Sequence, residues 1–326
     1  MYILVTGTAG FIGYHVAKQL LTAGHHVIGI DNMNDYYSPA LKLARLNQLK
    51  TFSHFTFYHG DIADKQAFSN LLAPHNETLT HIIHLAAQAG VRDATKNPFS
   101  YIQSNLYGHA NILEYCRTLP TLKRFIYAST SAVYTSENTL PFSIKDSFHT
   151  ANTLYGITKQ CDELLTQSYA NQINVHATVL RFFTVYGPWG RPDMAAYLFT
   201  NAIMNNEPLT LFDNGVLKRD FTYIDDIIAG IMGAMNQQKM KDDPLHLIYN
   251  LGNSESVSVK EFLNIIESIL NKKAVIHYAP RHPGEAIASL ADISQSSKDL
   301  NYYPKTSVTE GLKLFIDWYK SYHQCP

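Results

Sequence analysis

The strongest constraint on the fold is a regular alternation of short apolar runs with longer amphipathic segments over the first 180 residues. The apolar runs predict strands at Ile3–Thr6, Val27–Ile30, Phe55–Tyr58, Ile82–Leu85, Phe125–Ala128 and His176–Leu180. The amphipathic segments predict helices at Phe11–Ala23, Pro39–Leu49, Lys65–Leu72, Pro98–Thr118 and Asn152–Asn171. Strands that are apolar on both faces are typical of a parallel sheet covered by helices on both sides, so we expect a doubly wound α/β fold.

The rhythm changes after Arg181, where Pro188, Gly190 and Pro192 mark a loop-rich stretch. Beyond it the pattern predicts helices at Ala195–Asn205, Asp225–Met235, Val259–Leu270 and Val308–Tyr322, and strands at Leu209–Phe212 and Leu247–Asn250. We therefore expect residues 1–180 to form a first domain built on the parallel sheet. Residues 181–326 would form mainly a smaller α/β domain, with some elements returning to the first sheet.

Composition narrows the class of protein. The net charge of −1 argues against nucleic acid or an anionic membrane as a partner. No apolar run approaches the roughly 20 residues of a membrane helix, and the first residues lack the basic start of a signal peptide. Three scattered cysteines, Cys116, Cys161 and Cys325, indicate a reducing compartment, so we expect a cytoplasmic protein. The 15 histidines show no metal-ligand spacing, and we expect no metal.

A glycine-rich turn follows the first predicted strand. Gly7, Gly10 and Gly13 are spaced Gly-x-x-Gly-x-x-Gly, and Phe11 and Ile12 open the first predicted helix. Such glycines allow a tight turn and close backbone approach, and the helix N-terminus that follows attracts a pyrophosphate. Its place between a strand and a helix predicts a dinucleotide site rather than an ordinary turn.

Further site residues follow the next three predicted strands. Asp31 ends the second strand, where a carboxylate accepts both ribose hydroxyls of an adenosine. Because no Arg or Lys occupies positions 32–35 to hold a 2′-phosphate, NAD is favoured over NADP. Asp61-Ile62 and Leu85-Ala86-Ala87 would line the same crevice at the strands' carboxyl ends, although Asp61 also fits a helix N-cap.

The chemistry would come from Thr130, Tyr155 and Lys159. Tyr155 and Lys159 are four residues apart in a predicted helix and therefore share one face. A neighbouring cation favours the phenolate of a tyrosine, which makes the pair a candidate general base. Alone, the pair is typical of a solvated helix face, and Ser129-Thr130-Ser131 is typical of a helix cap. Beside a dinucleotide turn, we favour catalysis, with Thr130 bonding a substrate hydroxyl.

In this order, and together with Asn105, these residues resemble an extended short-chain dehydrogenase/reductase over nearly the whole chain. Longer segments resemble the UDP-glucuronate 4-epimerases, namely residues 31–37, 87–92, 181–194 and 218–226. The resemblance implies a Rossmann-type doubly wound parallel sheet with a smaller C-terminal α/β substrate-binding domain. It also implies NAD-dependent 4-epimerisation of a UDP-sugar, from UDP-glucuronate to UDP-galacturonate.

The resemblance implies a mechanism as well. Tyr155, as phenolate, would remove the proton of the sugar 4-hydroxyl, with Thr130 in the hydrogen-bond relay and Lys159 on the nicotinamide ribose. The C4 hydride would pass to NAD, the 4-keto sugar would rotate, and the hydride would return to its other face. NAD would be regenerated in each turnover and would stay tightly bound.

The implied site residues fall into two groups. The cofactor would contact Gly7, Gly10, Phe11, Ile12, Gly13, Asp31, Asn32, Asp61, Ile62, Leu85, Ala86, Ala87, Asn105, Tyr155 and Lys159. The substrate would contact Gln88, Arg92, Ser129, Thr130, Ser131, Thr184, Arg191, Arg219, Arg281 and Glu285. Among these, Arg219 and Arg281 would meet the UDP phosphates or ribose, unless they form surface ion pairs. Glu285 would accept from the uridine ribose, and Thr184 and Arg191 would hold the sugar carboxylate together with Ser129 and Ser131.

Two positions depart from the family pattern. Thr135 stands where glycine is usual after Val133-Tyr134, and Leu290-Ala291-Asp292 lacks a frequent nearby proline. Other activities stay open: a UDP-glucose or UDP-N-acetylhexosamine 4-epimerase, a UDP-glucuronate decarboxylase, or a non-catalytic NAD-binding scaffold. A 4,6-dehydratase is disfavoured, because Ser131-Ala132 rather than Asp-Glu follows Thr130. Relatives commonly form homodimers through helices at 98–118 and 152–171, and both helices here carry apolar residues on more than one face.

Overall fold

The computed structural model describes residues 1–135, 137–146, 149–238, 244–281 and 286–324. Its strands are β1 (Tyr2–Thr6), β2 (His26–Asp31), β3 (Phe55–His59), β4 (His81–His84), β5 (Arg124–Thr130), β6 (His176–Phe182), β7 (Thr184–Tyr186), β8 (Pro208–Phe212), β9 (Lys218–Arg219), β10 (Phe221–Tyr223), β11 (His246–Leu251), β12 (Val257–Ser258) and β13 (Val275–Ala279). Its α-helices are α1 (Phe11–Thr22), α2 (Pro39–Leu49), α3 (Lys65–Leu72), α4 (Pro98–Tyr101), α5 (Gly108–Cys116), α6 (Leu154–Ile173), α7 (Ala195–Asn205), α8 (Ile224–Asn236), α9 (Val259–Leu270), α10 (Ser294–Leu300) and α11 (Val308–His323).

Seven strands form the central sheet, in the order β3-β2-β1-β4-β5-β6-β11. β1 pairs in parallel with β2 and β4, and the pairs β2–β3 and β4–β5 are parallel as well. The carboxyl ends of these strands therefore meet at one edge, and the direction of winding reverses at β1. In doubly wound sheets the crevice at such a reversal is where ligands bind. The predicted fold class is confirmed.

Burial explains why the apolar runs became the inner strands. Leu4 on β1 and Ile82 on β4 are fully buried, and both belong to a core cluster that includes Phe68 of α3 and Ile112 and Leu113 of α5. The alternate residues Ile3, Val5 and Ile83 are fully buried as well, so both faces of the strands are removed from water, as a parallel sheet requires. Among the residues that the structure describes, no helix combines the length and the apolar character needed to cross a bilayer.

The helix predicted at 98–118 changes its winding midway. α4 continues into a π-helical segment, Ile102–Tyr107, which continues into α5. The sequence pattern did not reveal this segment. π-helical turns inside longer helices often occur at functional sites, and Asn105, a predicted site residue, lies within this one.

The chain divides into two compact units. The first consists of residues 1–135, 148–181 and 231–249, and the second of residues 136–147, 182–230 and 250–326. The second unit contains the parallel pairs β7–β10 and β8–β13 and the antiparallel pair β9–β12. Apart from β8, these short strands were not predicted. The predicted strand at Leu247–Asn250 lies in β11, beside β6 in the central sheet.

Candidate active site

The glycine turn lies at the end of β1, where the winding reverses. Gly7 has φ +71° and donates its N–H to Ile30 O at 2.8 Å, and a Cβ there would lie 2.9 Å from Ala86 N. A Cβ on Gly13 would overlap the carbonyl oxygen of Gly7. The helix that follows begins at Gly10 with no side-chain cap and no acidic residue in its first turn. Its first N–H groups are therefore arranged for an anion such as a pyrophosphate.

Asp31 is fixed beside this turn. Its Oδ2 accepts from Ala9 N at 3.0 Å, and its Oδ1 accepts from Met33 N at 2.8 Å. The side chain is 8% exposed. Each carboxylate oxygen carries two lone pairs, so one acceptor position remains on each oxygen for two adjacent hydroxyls. The carboxylate therefore fits the ribose of an adenosine, and its charge would repel a 2′-phosphate.

Two cations on α2 brace the loop that follows β2. Lys42 Nζ donates to Asn34 Oδ1 at 2.8 Å. Arg45, which is fully buried, donates to Ala9 O at 2.8 Å and to Tyr37 OH at 2.6 Å. Both residues lie on α2, beyond positions 32–35, and were not predicted. Their spacing of three on a predicted helix is the signal that could have found them.

Asn32 and Asp61 bond to each other across β2 and β3. Asn32 Nδ2 donates to Asp61 Oδ2 at 3.0 Å, and Asp61 Oδ1 accepts from Ala63 N at 2.8 Å. The N-cap of α3 is instead Asp64, whose side chain accepts from Ala67 N. Asp61 is therefore not the cap of that helix. Ile62, next to it, is buried and its carbonyl accepts from Asn111 at 2.9 Å.

The segment after β4 is joined to β1 through Thr6. Thr6 Oγ1 accepts from Leu85 N at 3.1 Å and from Ala86 N at 3.0 Å, and it lies 2.7 Å from His84 Nδ1. Since both backbone groups donate to this oxygen, its own proton is directed to His84. The backbone of Leu85 and Ala86 is thereby held against Gly7, and Ala87 next to them is exposed.

Asn105 joins three elements around the same crevice. Its Oδ1 accepts from Gln88 N at 2.8 Å, and its Nδ2 donates to Gln88 O at 3.1 Å and to Thr158 Oγ1 at 2.9 Å. Asn105 is 1% exposed. It thus fixes the loop after β4 to α6, immediately before Lys159, which is a positioning contact.

A close backbone approach places the first turn of α6, which carries Tyr155, against the turn that follows Thr130. Thr130 ends β5, and its Oγ1 accepts from Ala132 N at 3.2 Å within a 3₁₀ turn that begins at Ser131. Gly156, the residue after Tyr155, lies against that turn, because a Cβ there would overlap Ala132 O. The sequence did not single out Gly156. Only glycine, which has no Cβ, allows α6 to start so close to β5.

Tyr155 and Lys159 lie on the first turns of α6. The helix is capped by Thr153, whose side chain accepts from Gly156 N. The Tyr155 ring packs edge-on against the buried Tyr101, with ring centroids 6.1 Å apart. Lys159 is 3% exposed and donates to the buried Asp162. Tyr155 and Lys159 therefore do not lie on a solvated face of the helix.

Ser129, one residue before Thr130, points to the protein interior. It is 3% exposed, and its Oγ donates to Glu163 Oε1 at 2.5 Å. Glu163 is held in turn by Arg181, which donates to both of its carboxylate oxygens. Neither Glu163 nor Arg181 was predicted. Together they tie α6 to the end of β5 and to β6, so Ser129 serves to position the strand end that carries Thr130.

In the second unit, Asp220 organises two of the predicted substrate residues. Thr184 N donates to Asp220 O at 3.0 Å, one residue beyond Arg219. The fully buried Asp220 carboxylate accepts from Thr222 Oγ1 and from the backbone N–H groups of Asn253, Ser254 and Ala291. Burial raises its pKa to about 6, against these hydrogen bonds. Asp220 thus fixes the strands of Thr184 and Arg219 and the unusual segment at Ala291.

Three of the remaining predicted substrate residues, Arg92, Arg191 and Arg281, lie on loops. Arg191 donates through Nε to Asp193 Oδ1 at 2.9 Å and through one terminal nitrogen to Oδ2, so one edge of its guanidinium already makes a bidentate contact with a carboxylate. Arg281 is exposed just after β13, and Arg92 is exposed before a 3₁₀ turn. Glu285 lies outside the described residues.

Comparison with known proteins agrees with this geometry. A family model described as GDP-mannose 4,6 dehydratase matches residues 4–315. Protein CapI of Staphylococcus aureus is 40% identical over 337 residues, covering 99% of this chain and 100% of CapI. UDP-glucuronate 4-epimerase 4 of Arabidopsis thaliana is 41% identical over 334 residues, covering 98% of this chain and 76% of that protein. The crystal structure of a Bacillus cereus UDP-glucuronic acid 4-epimerase with UDP-glucuronic acid and NAD superposes with a TM-score of 0.91 at 35% identity, covering 99% of this chain and 100% of that one.

The doubly wound sheet, the glycine turn and the Tyr155–Lys159 pair define an enzyme of the short-chain dehydrogenase/reductase type. Within that class, the chain belongs to the family of the GDP-mannose 4,6 dehydratase model, which matches it over nearly its whole length. The resemblance inferred from the motifs is thus confirmed.

Proposed function

We propose that the chain is an NAD-dependent isomerase that converts UDP-glucuronate to UDP-galacturonate by epimerisation at C4. The full-length similarity to UDP-glucuronate 4-epimerases supports this, as does the fit of the turn and Asp31 to a dinucleotide. NAD, when bound, would accept the C4 hydride and return it, so it is not consumed. The protein's own residues would move one proton and hold a sugar that must rotate to present its other face.

The proton transfer falls to residues of the first unit. Tyr155 would take the proton of the 4-hydroxyl and give it back to the 4-keto sugar, with Thr130 bonding the same oxygen. Lys159 would stabilise the phenolate and hold the nicotinamide ribose with its remaining donors. Asn105 and Ser129 would act behind them by fixing α6 and the end of β5.

The uronate assignment depends on one observation, the bidentate contact of Arg191 with a carboxylate. An Arg fork that accommodates Asp193 has the geometry for a sugar carboxylate, which would compete for the same donors. Thr184 and Ser131 would add neutral donors. Arg219 and Arg281 would bind the UDP phosphates or ribose, and Glu285, Gln88 and Arg92 complete the proposed set of substrate contacts.

The family model carries a dehydratase in its description, but the residues beside Thr130 favour epimerisation. A 4,6-dehydratase needs an acid and a base there, whereas Thr130 is followed by Ser131 and Ala132. A UDP-glucuronate decarboxylase would form the same 4-keto intermediate. That intermediate is a β-keto acid and can lose CO₂. Restraint of the carboxylate by Arg191 and Thr184 would oppose that loss.

A product assay tests the proposal. Purified protein with UDP-glucuronate should give UDP-galacturonate, without CO₂ or a UDP-pentose. Arg191→Ala should lower kcat/KM for UDP-glucuronate far more than for any residual turnover of UDP-glucose. If UDP-glucose is epimerised while UDP-glucuronate is unchanged, the carboxylate assignment is wrong. Release of CO₂ would instead favour the decarboxylase.

We further propose that the protein is a homodimer. Apolar side chains remain exposed on α4, the π-helical segment and α6, which pack side by side: Phe99, Ile102, Tyr107, Ile157, Leu164 and Leu165. Such a surface favours a second copy that supplies the same helices. Light scattering should give twice the chain mass, and Leu164→Arg should give monomers. An unmodified chain that is monomeric at micromolar concentration would contradict the dimer.

We also infer a cytoplasmic location. Two cysteines within the described residues, Cys116 and Cys161, are unpaired thiols, which fits a reducing compartment. Cell fractionation with an antibody to the protein tests this, and recovery from an oxidising compartment would contradict it.

A further inference from the structure

A buried ion pair lies beside the proposed base on α6. Lys159 Nζ donates to Asp162 Oδ2 at 2.6 Å, and the two side chains are 3% and 0% exposed. A spacing of three residues places both on one face of the helix. Because neither group reaches solvent, salt and water screen their interaction far less than they screen a surface pair.

The Asp162 carboxylate depends on Lys159. Its second oxygen, Oδ1, is buried and has no hydrogen-bond partner among the residues that the structure describes. A buried carboxylate with few hydrogen bonds is costly unless a cation compensates its charge. The same attraction fixes the ammonium in one place, with two of its three N–H donors left for other acceptors.

Tyr155 lies one turn before Lys159 on α6. Other charged and titratable groups among the described residues that interact with the pair are Cys161 and Glu163 on α6, His109 on α5, Tyr127 on β5 and His84 on β4. Burial lowers the pKa of both imidazoles well below 6.5, so they are neutral at pH 7. Burial also raises the pKa of the Tyr127 phenol and of the Cys161 thiol, which stay protonated. Arg181 and Glu163 compensate each other at 2.7 Å.

A proton on Asp162 therefore decides the net charge beside Lys159. Burial raises the pKa of Asp162 to about 6, although the adjacent ammonium opposes the rise. Above that pH the carboxylate offsets the charge of Lys159, and below it the ammonium is uncompensated.

We propose that Asp162 is a positioning residue that holds the Lys159 ammonium and sets the pH range in which Tyr155 acts as a base. The proposal rests on the proposed function only in naming Tyr155 as that base. Under the proposed function, the positive charge of Lys159 would stabilise the phenolate. An ionised Asp162 weakens that effect, so removal of its charge lets the phenolate form at lower pH.

The test compares the full chain with Asp162→Asn, which keeps the size of the side chain and an acceptor but removes the charge. The near-ultraviolet absorbance of the phenolate is titrated with NAD bound, and Tyr155→Phe identifies the transition that belongs to Tyr155. We expect the midpoint in Asp162→Asn to fall by about half a unit to one unit, the effect of one charge at short range in a partly buried site. The midpoint of the acid limb in the pH profile of kcat should shift to lower pH by the same amount, and KM should be unchanged.

Asp226→Asn is the matched control, because Asp226 is a buried carboxylate that accepts backbone hydrogen bonds from Lys305 N and Thr306 N, outside the proposed site. Asp226→Asn should shift neither the midpoint of the phenolate titration nor the acid limb of the kcat–pH profile. A midpoint in Asp162→Asn at or above that of the parent overturns the proposal, as does an equal shift in the control. If Asp162→Asn does not fold, Asp162→Gln, which also keeps an amide oxygen as acceptor and removes the charge, takes its place. The absorbance titration needs no sugar. A wrong substrate assignment would therefore abolish turnover but leave the midpoint of the titration unchanged.

Discussion

The Arg181–Glu163 pair provides the most direct test of how the strand end at Thr130 and the helix of Tyr155 are held together. Arg181 donates to Glu163 Oε1 at 3.0 Å, to Oε2 at 2.7 Å and to Tyr134 OH at 2.9 Å. The two charged side chains are 7% and 3% exposed. Replacement of Arg181 by Met removes all three hydrogen bonds and leaves a buried carboxylate with no cation beside it.

Removal of one partner from a buried pair costs about 3–5 kcal/mol, because the remaining charge is uncompensated. Arg181→Met should lower the free energy of unfolding by about that amount, measured by urea denaturation followed by circular dichroism. Arg117→Met is the matched control, since Arg117 and Glu114 form an exposed pair at 3.3 Å with 48% and 37% exposure. Exposed pairs contribute about 1 kcal/mol or less. Equal losses in the two variants would refute the reasoning.

A double variant separates charge compensation from packing. In Arg181→Met with Glu163→Leu, no charge is left unpaired, so the double variant should be more stable than the sum of the two single losses predicts. If the losses are additive, the two side chains do not depend on each other, and the proposed link between β6 and α6 is wrong.

Two further predictions concern backbone and amide contacts. Gly13→Ala should weaken NAD binding by about tenfold or more, because the added methyl group overlaps the Gly7 carbonyl and opens the turn; calorimetric titration measures the affinity, and an unchanged value would contradict the close approach. Asn105→Ala should destabilise the chain by about 1–3 kcal/mol, since it leaves buried backbone groups of Gln88 without partners. Hydrogen exchange at residues 85–90 should accelerate as well, and unchanged exchange would show that Asn105 does not hold that loop.

The fold was largely readable from the sequence, for a physical reason. Inner strands of a parallel sheet must be apolar on both faces, so runs such as Ile3–Thr6 and Ile82–Leu85 stand out wherever they occur. Strands of two or three residues carry no such pattern, because their place is set by the partner strand. β9 at Lys218–Arg219 and β10 at Phe221–Tyr223 therefore escaped prediction.

The candidate site was readable where the backbone dictates the residue. Gly7 and Gly13 must lack a Cβ, and the acid at Asp31 follows the strand that ends beside them. Buried polar partners were not readable, because a carboxylate such as Asp220 or Glu163 has the same sequence appearance whether it faces water or the core. Their roles follow only from tertiary contacts.

In helix α6, the difference between polar side chains that face water and those that face the core matters for both catalysis and assembly. Its buried stripe is polar: Thr158, Lys159, Asp162, Glu163 and Thr166 are each 3% exposed or less, whereas Ile157, Leu164 and Leu165 are 37–55% exposed. An ordinary surface helix has the opposite arrangement. The polar stripe is explained by the groups it bonds, since Lys159 meets Asp162, Glu163 meets Arg181 and Thr166 meets His109. The exposed apolar stripe has no such explanation within one chain, and a second copy of the same helix would cover it. One helix would then hold the proton-transfer pair on its inner face and join two active sites through its outer face.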